Sequence, residues 1–224
     1  MIGGVSSIEY VLPLVAHIEK DEPPARTDAL EAAARAVLVL LADVRSTDPE
    51  GEWHDVVEAW QGHRIRKVVR RARGGEWRRA GALPGITVAH RTAEVRVYPP
   101  IPLDGWPKDL AKLQVSGTDL DEPVAPRAAD PGQPVLWLNP SLEMTAGKAM
   151  AQVGHGAHIA WMGLGSGARK EWAARGFDLA VRVADPAAWP ALAGSGRPVV
   201  RDAGFTEIAP GSCTVVADVP WPTR

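Results

Sequence analysis

The feature that most constrains this chain is a correspondence between its two halves. Trp60, Val69, Arg70, Ala72, Trp77 and Val88 coincide with Trp172, Val181, Arg182, Ala184, Trp189 and Val200 at a constant offset of 112. After a gap the offset becomes 120, where Val95, Pro100 and Pro102 meet Val215, Pro220 and Pro222. In a chain rich in Ala, Arg, Val and Pro, chance agreement is the alternative, and two tryptophan matches at one offset weigh against it. The expectation is an internal repeat, two tandem copies of one fold. From Gly117 to Pro134 the sequence carries four prolines and four acidic residues with almost no large apolar side chain, the composition of a linker. This divides the chain into residues 1–116, a linker at 117–133, and residues 134–224.

Both halves show the same order of elements: strand, helix after a threonine, tryptophan, strand, a short segment with another tryptophan, then further strands. Tyr10 to His17 and Val135 to Asn139 read as first strands, and Ala29 to Leu41 and Ala146 to Leu164 as helices. Val68 with its neighbours and Leu179 to Val183 are second strands. Ile86 to His90, Val95 to Tyr98, Pro198 to Arg201 and Thr214 to Asp218 complete the sheets. Helices alternating with short β-branched strands predict α/β layers. Trp106 to Gln114 is expected to close the first half as a helix.

The helix of the second half faces two ways. Thr145 is a suitable N-cap, and Met150, Val153, Ala157, Ala160, Trp161 and Leu164 share one apolar face. Lys148, Gln152 and His155 gather on the opposite face. A lysine in the first turn opposes the helix dipole by a few tenths to about 1 kcal/mol, so a compensating partner is expected. Gly154 and Gly156 cost about 1 kcal/mol each relative to alanine, which implies close approach of backbone or ligand. Spacing alone favours a solvated polar face with glycines for helix packing.

Net charge is −2 over 224 residues, so nucleic acid would have to be held by a local basic patch. The run His63 to Arg79, with eight Lys or Arg and Trp77, reads either as that patch or as a solvated edge strand. The single cysteine, Cys213, excludes an intramolecular disulfide. The longest aliphatic run, Ala36 to Ala42, is too short to span a bilayer, and Met1 to His17 lacks the features of a secretory signal. A cytoplasmic protein with no membrane partner is expected.

Two stretches carry a resemblance. Met144-Thr-Ala-Gly-Lys-Ala-Met-Ala-Gln-Val-Gly-His-Gly-Ala157 and Arg201-Asp-Ala-Gly-Phe-Thr-Glu-Ile-Ala-Pro-Gly-Ser-Cys-Thr214 resemble, in order and separation, the two signatures of the type II peptidyl-tRNA hydrolases. The resemblance covers residues 134–224. It implies a three-layer α/β/α fold with a mixed, roughly four-stranded sheet, and hydrolysis of the ester joining a peptide to the 3′ ribose of tRNA, which recycles stalled peptidyl-tRNA. It implies catalytic roles for Lys148, Asp202 and Thr206, with Gln152, His155, Thr214 and Gly147 lining the substrate site, and neither cofactor nor metal. Asp202 would act as base or orienting acceptor, Lys148 would offer an ammonium to the developing oxyanion, and Thr206 and Thr214 would place the water or a ribose hydroxyl. Asn139, Ser141 and Ala146 stand where the family usually has an arginine, an aspartate and a second lysine, which touches tRNA phosphate contacts more than chemistry.

Other readings of the same residues are weaker. Taken alone, Asp202 reads as an Asx turn before Gly204. Gly147-Lys148 lacks the remaining glycine and the Ser or Thr of a phosphate loop. The segment Gly163 to Ala168 follows a helix and reads as a helix stop and flexible turn. His155 and His158 are one turn apart but no third metal ligand is evident. Cys213 reads as core. In the repeat register His90 falls opposite Asp202, and Leu30 falls near Lys148 if Thr27 matches Thr145, so the first half is expected to be catalytically dead. Members of the family self-associate, and a fused degenerate copy would replace the second subunit, giving an intramolecular pseudo-dimer. Two rivals remain open: a non-catalytic RNA-binding or scaffold protein that keeps the fold, and hydrolysis of a related aminoacyl or peptidyl ester.

Overall fold

The computed structural model describes residues 8–204 and 208–223. In the first half, β1 (Tyr10–His17) leads through α1 (Arg26–Ala42), α2 (Val44–Thr47) and α3 (His54–Gln61) to β2 (Lys67–Ala72) and α4 (Gly74–Gly81). The strands β3 (Ile86–His90), β4 (Ala93–Val97) and β5 (Ile101–Pro102) and the single turn α5 (Lys108–Ala111) follow. The second half holds β6 (Val135–Leu138), α6 (Ala146–Gly163), α7 (Ser166–Ala174), β7 (Ala180–Val183), α8 (Trp189–Ala193), β8 (Val199–Arg201) and β9 (Cys213–Asp218). The chain is mixed α/β. Among the described residues, no helix is long and apolar enough to cross a membrane.

Both sheets are mixed, and they share a strand plan. One runs β2-β1-β4-β3, with β5 alongside β1; the other runs β7-β6-β9-β8. In each, the first strand pairs parallel with the second and antiparallel with the last. The pairing follows the offsets of the sequence. Val69 lies opposite Leu14 as Val181 lies opposite Leu136, and Val88 opposite Val95 as Val200 opposite Val215. The two matched tryptophans behave alike: fully buried Trp60 and Trp172 each donate the indole N–H to the carbonyl six residues on, Arg66 at 3.0 Å and Asp178 at 2.9 Å.

Strand alternation sorts the first sheet onto two cores. Leu12, Leu14, Ala16, Val95 and Val97 face inward to the main core. Val15, Ala72 and Tyr98 join a small second core with Ala80 of α4, Leu110 of α5 and Leu113. The main core is continuous with the inner face of the other sheet, through Leu136, Leu138, Val181, Val200 and Val215. Between the sheets lie α1 and α6, packed on each other, with α6 also reaching β2 and α1 reaching β7. Both helices are therefore buried on nearly every side. The polar face of α6 is not solvated, contrary to the simpler reading of its spacing. A Cβ on Gly156 would stand 2.8 Å from Val215 Cγ1, so that glycine seats the helix on its sheet.

Four sequence expectations need correction. Residues 106–114 form one helical turn only, because Gln114 bridges Arg71 on the edge of β2 and pulls the chain extended. Thr27 lies inside α1 rather than before it; the cap is supplied from the connecting segment, where the Glu122 carboxylate accepts from Thr27 N at 2.8 Å and the Asp121 carbonyl accepts from Arg26 N. Counted from the helix starts, Asp28 rather than Leu30 stands at the place of Lys148. The turn after Gly163 is short, since Gly165 already caps α7, which begins at Ser166. The basic run is an edge strand only over Lys67–Ala72 and continues into α4, and much of its charge is spent internally. Arg70 donates to the carbonyls of Ala111 and Leu113 and stacks over Trp106, and Arg71 donates to Ser116 and Gln114.

One buried ion pair ties α1 to both sheets. Glu31 accepts from His90 at 2.7 Å, from Arg182 at 2.7 Å and from the Val181 amide at 3.1 Å. Burial pushes the Glu31 carboxyl up, but the His90 and Arg182 bonds outweigh it and hold it below the usual carboxylate range. The folded pKa thus lies below the unfolded one, so this contribution is complete above the ordinary carboxylate range and is lost as pH falls through the lower folded value. Glu31→Ala leaves a buried guanidinium uncompensated and is expected to cost about 3 kcal/mol, read by urea denaturation at neutral pH, with the deficit shrinking in acid. A loss under about 0.5 kcal/mol, the range of ordinary surface changes, would contradict this account.

Candidate active site

Asp202 follows directly on β8, and the backbone there is closed on itself. Its amide donates to the Ser212 carbonyl at 2.9 Å and its carbonyl accepts from Gly211 N at 2.7 Å. Gly204 takes φ +78°, and a Cβ on it would meet Pro210 Cγ at 2.3 Å. Only glycine fits this turn. The Gly204 amide donates to Asp202 Oδ1 at 2.8 Å, so the Asx turn is present. It occupies one oxygen and leaves the other free to face α6.

That other oxygen is the focus of the site. Asp202 Oδ2 accepts from Lys148 Nζ at 2.5 Å and from Gln152 Nε2 at 2.8 Å. Thr214, on β9, donates its hydroxyl to Gln152 Oε1 at 2.5 Å, which fixes the amide with its nitrogen toward the carboxylate. Lys148 stands in the first turn of α6, where Thr145 caps the helix by accepting from Lys148 N at 3.3 Å. The anion that a first-turn lysine calls for is Asp202. The chain Thr214, Gln152, Asp202, Lys148 is nearly dry: Thr214, Gln152 and Asp202 are buried, and the lysine side chain is 12% exposed.

The structure thus brings together Lys148, Asp202, Gln152 and Thr214. Thr214 is fully buried, with its hydroxyl on Gln152 Oε1. Gly147 faces elsewhere: its amide donates to Thr118 Oγ1 of the connecting segment at 3.0 Å. Thr206 lies outside the described residues. His155 sits one turn beyond Gln152 on the same helix face, with its Nδ1 3.3 Å from Lys67 Nζ.

The departures from the family pattern have local reasons. Asn139 donates its side-chain amide to the Cys213 carbonyl at 2.8 Å and accepts from Ser141 N at 2.8 Å, which ties the segment before α6 to β9. Ala146 is fully buried, where a second lysine would lose its water. Three contributions were invisible in the sequence. Arg26 of α1 donates to the Met144 carbonyl at 3.0 Å, Thr118 caps α6, and Lys67 reaches His155. Each lies far along the chain from α6, and nothing local marks it.

The first half carries a different set at the matching place. Asp28, Glu31 and His90 have ligand atoms within 4.8 Å of one another. Their carboxylates already face Arg182, Arg91, Thr92 and the Val181 amide, so they form a closed salt link. Cys213 begins β9 half-buried, and burial pushes its thiol up, away from nucleophile character.

Thr214→Val is expected to leave Gln152 Oε1 without its donor and to cost about 1–3 kcal/mol, while Thr214→Ser, which keeps the hydroxyl, costs less. Equal stability of the valine variant and the wild type in thermal denaturation would show that this bond does not hold the site.

No protein-family model matches this chain, and no curated protein matches it.

Proposed function

We propose that this chain hydrolyses the ester between a peptide, or an N-blocked amino acid, and the 3′ ribose of tRNA, using the site around Asp202. The observation that carries the reading is the arrangement of that carboxylate. Three of its roughly four acceptor positions are filled by Lys148, Gln152 and Gly204 N. Among the described residues nothing fills the second position on Oδ1, and we place a water there. The residues that hold it are those of the two family-like signatures, at the places the resemblance implies.

The chemistry follows from this geometry. Water held by Asp202 Oδ1 attacks the ester carbonyl carbon and gives a proton to the carboxylate. Negative charge grows on the carbonyl oxygen, and Lys148, which spends one of its three N–H donors on Asp202, has others for that oxygen. The bond to the ribose oxygen then breaks, and the proton taken by Asp202 returns to the leaving oxygen. Gln152 and Thr214 keep the carboxylate in place through the cycle. We read the two halves as tandem copies of one fold joined as an intramolecular pseudo-dimer, on the strength of their common strand plan and register. The first copy carries Asp28 and His90 where the second carries Lys148 and Asp202, so it supports rather than cleaves.

The test is hydrolysis of N-blocked aminoacyl-tRNA by purified protein. Asp202→Asn and Lys148→Ala are each expected to lower kcat by about 100- to 1000-fold with tRNA binding retained. Turnover that survives in both variants would place the chemistry elsewhere. Binding of tRNA without turnover in the wild type would favour a non-catalytic RNA-binding protein.

A further inference from the structure

Beside the site lies a second buried polar cluster that the reaction above does not use. Lys67 projects from β2 of the first half and is 8% exposed, with no carboxylate partner among the described residues. Its Nζ has three neighbours able to accept: the Ile65 carbonyl at 3.2 Å, His155 Nδ1 at 3.3 Å and His158 Nδ1 at 3.1 Å. An ammonium has three N–H donors, so these acceptors satisfy it completely. His158 then carries its proton on Nε2, which meets Gln61 Oε1 at 3.2 Å. Trp60 closes the cluster, stacked on His158 at 4.8 Å and lying 4.8 Å from Nζ.

Four residues of the first half, Trp60, Gln61, Ile65 and Lys67, therefore converge on two histidines of α6. The helix is built for the crossing. A Cβ on Gly154 would stand 3.3 Å from Lys67 Cδ and 3.2 Å from Val37 Cγ2, so the glycine between Val153 and His155 makes room for the lysine stem. His155 shares its face with Lys148 and Gln152, and its Nε2 has no hydrogen-bond partner among the described residues.

We propose that Lys67 is a positioning residue of the active site: by donating to Nδ1 of His155 it fixes that imidazole as the neutral Nε2–H tautomer, a hydrogen-bond donor for an oxygen of the ester substrate. The proposal makes the site composite, since the residue that sets His155 comes from the half that lacks the catalytic pair. A neutral imidazole N–H can polarise a carbonyl without giving up its proton. The catalytic part rests on the ester-hydrolysis reading, and the tautomer does not.

The protonation pattern is consistent. Of three basic nitrogens in contact, the amine has the highest intrinsic affinity for a proton, so the proposal places the single positive charge on Lys67 and keeps both histidines neutral. Burial pushes the His155 imidazole well below its ordinary range, and Lys67 and then Lys148 push it further. Burial first, then Lys67, His155 and Arg169, lower His158, and burial lowers the Lys67 amine as well.

Two measurements test this. Nitrogen-15 NMR of the full-length wild type is expected to show His155 and His158 as Nε2–H tautomers that do not titrate between pH 5 and 8. An Nδ1–H tautomer at His155, or titration near the free-histidine value, would overturn the proposal whether or not the protein cleaves esters. For catalysis, Lys67→Met is expected to lower kcat by about 10- to 100-fold, the range for partners that orient an imidazole, with little change in KM. Lys67→Met on a His155→Gln background should cost nothing further, because the lysine acts through the histidine. Undiminished kcat in Lys67→Met, or equal losses in both backgrounds, would refute the positioning role. Absence of turnover in the wild type would refute the ester reading and leave the NMR result to decide the tautomer.

Discussion

Everything in this molecule depends on two helices sharing one layer. A helix that packs on a sheet normally keeps one face for water, but α1 and α6 pack on each other between two sheets and have almost no such face. Their sequences pay for this with small residues. Six of the 17 residues of α1 are alanine, and α6 places Gly154 against Val37 and Gly156 against Val215. Close packing of this kind leaves no room for a free charge. Each polar group that enters the layer must find a partner there or shed its proton.

That constraint explains both halves of the polar architecture. On α6, Lys148 meets Asp202 at its N-terminal end, and the histidines further along meet Lys67. On α1, Asp28 meets Thr92, and Glu31 meets His90 and Arg182. The charges are reversed at the matching place: lysine on the helix with aspartate after the strand in one half, carboxylates on the helix with histidine on the strand in the other. Each half also reaches across, Lys67 from β2 to α6 and Arg182 from β7 to α1. The connecting segment adds to the bond between them, since Glu122 and Asp121 hold the start of α1 and Thr118 the start of α6. A composition typical of linkers here serves as a clasp for two helix ends.

Much of the fold was legible because strand and helix periods are local. Tyr10–His17 and Ile86–His90 stand where the alternation put them, and α6 differs by one residue from its expected end. The offsets of 112 and 120 coincide with one pair of the register, Val88 opposite Val95 and Val200 opposite Val215. The helices α3 and α7 were not legible: each is a short segment of mixed polarity that buries a tryptophan, Trp60 beside Val57 in α3 and Trp172 in α7. In the site, the partnership of Lys148 and Asp202 followed from paired signatures, and the Asx turn from Asp-Ala-Gly. Burial of the polar row was not legible, because it requires knowing that a second sheet covers it. Nor was Lys67 distinguishable from the seven other cations of its run. Only the parallel pairing of β2 with β1 turns that lysine inward.

The central claim is that the two halves form one folding unit through the shared helical layer. The most direct measurement is the thermal unfolding of residues 134–224 produced alone, followed by circular dichroism and proton NMR. Without α1 and β2, the side of α6 that carries Gly154 and His158 would lose Val37 and Lys67 and open to water, so the fragment is expected to show no cooperative transition and poorly dispersed amide signals. A cooperatively folded fragment with dispersed signals and a midpoint close to that of the full chain would contradict the account.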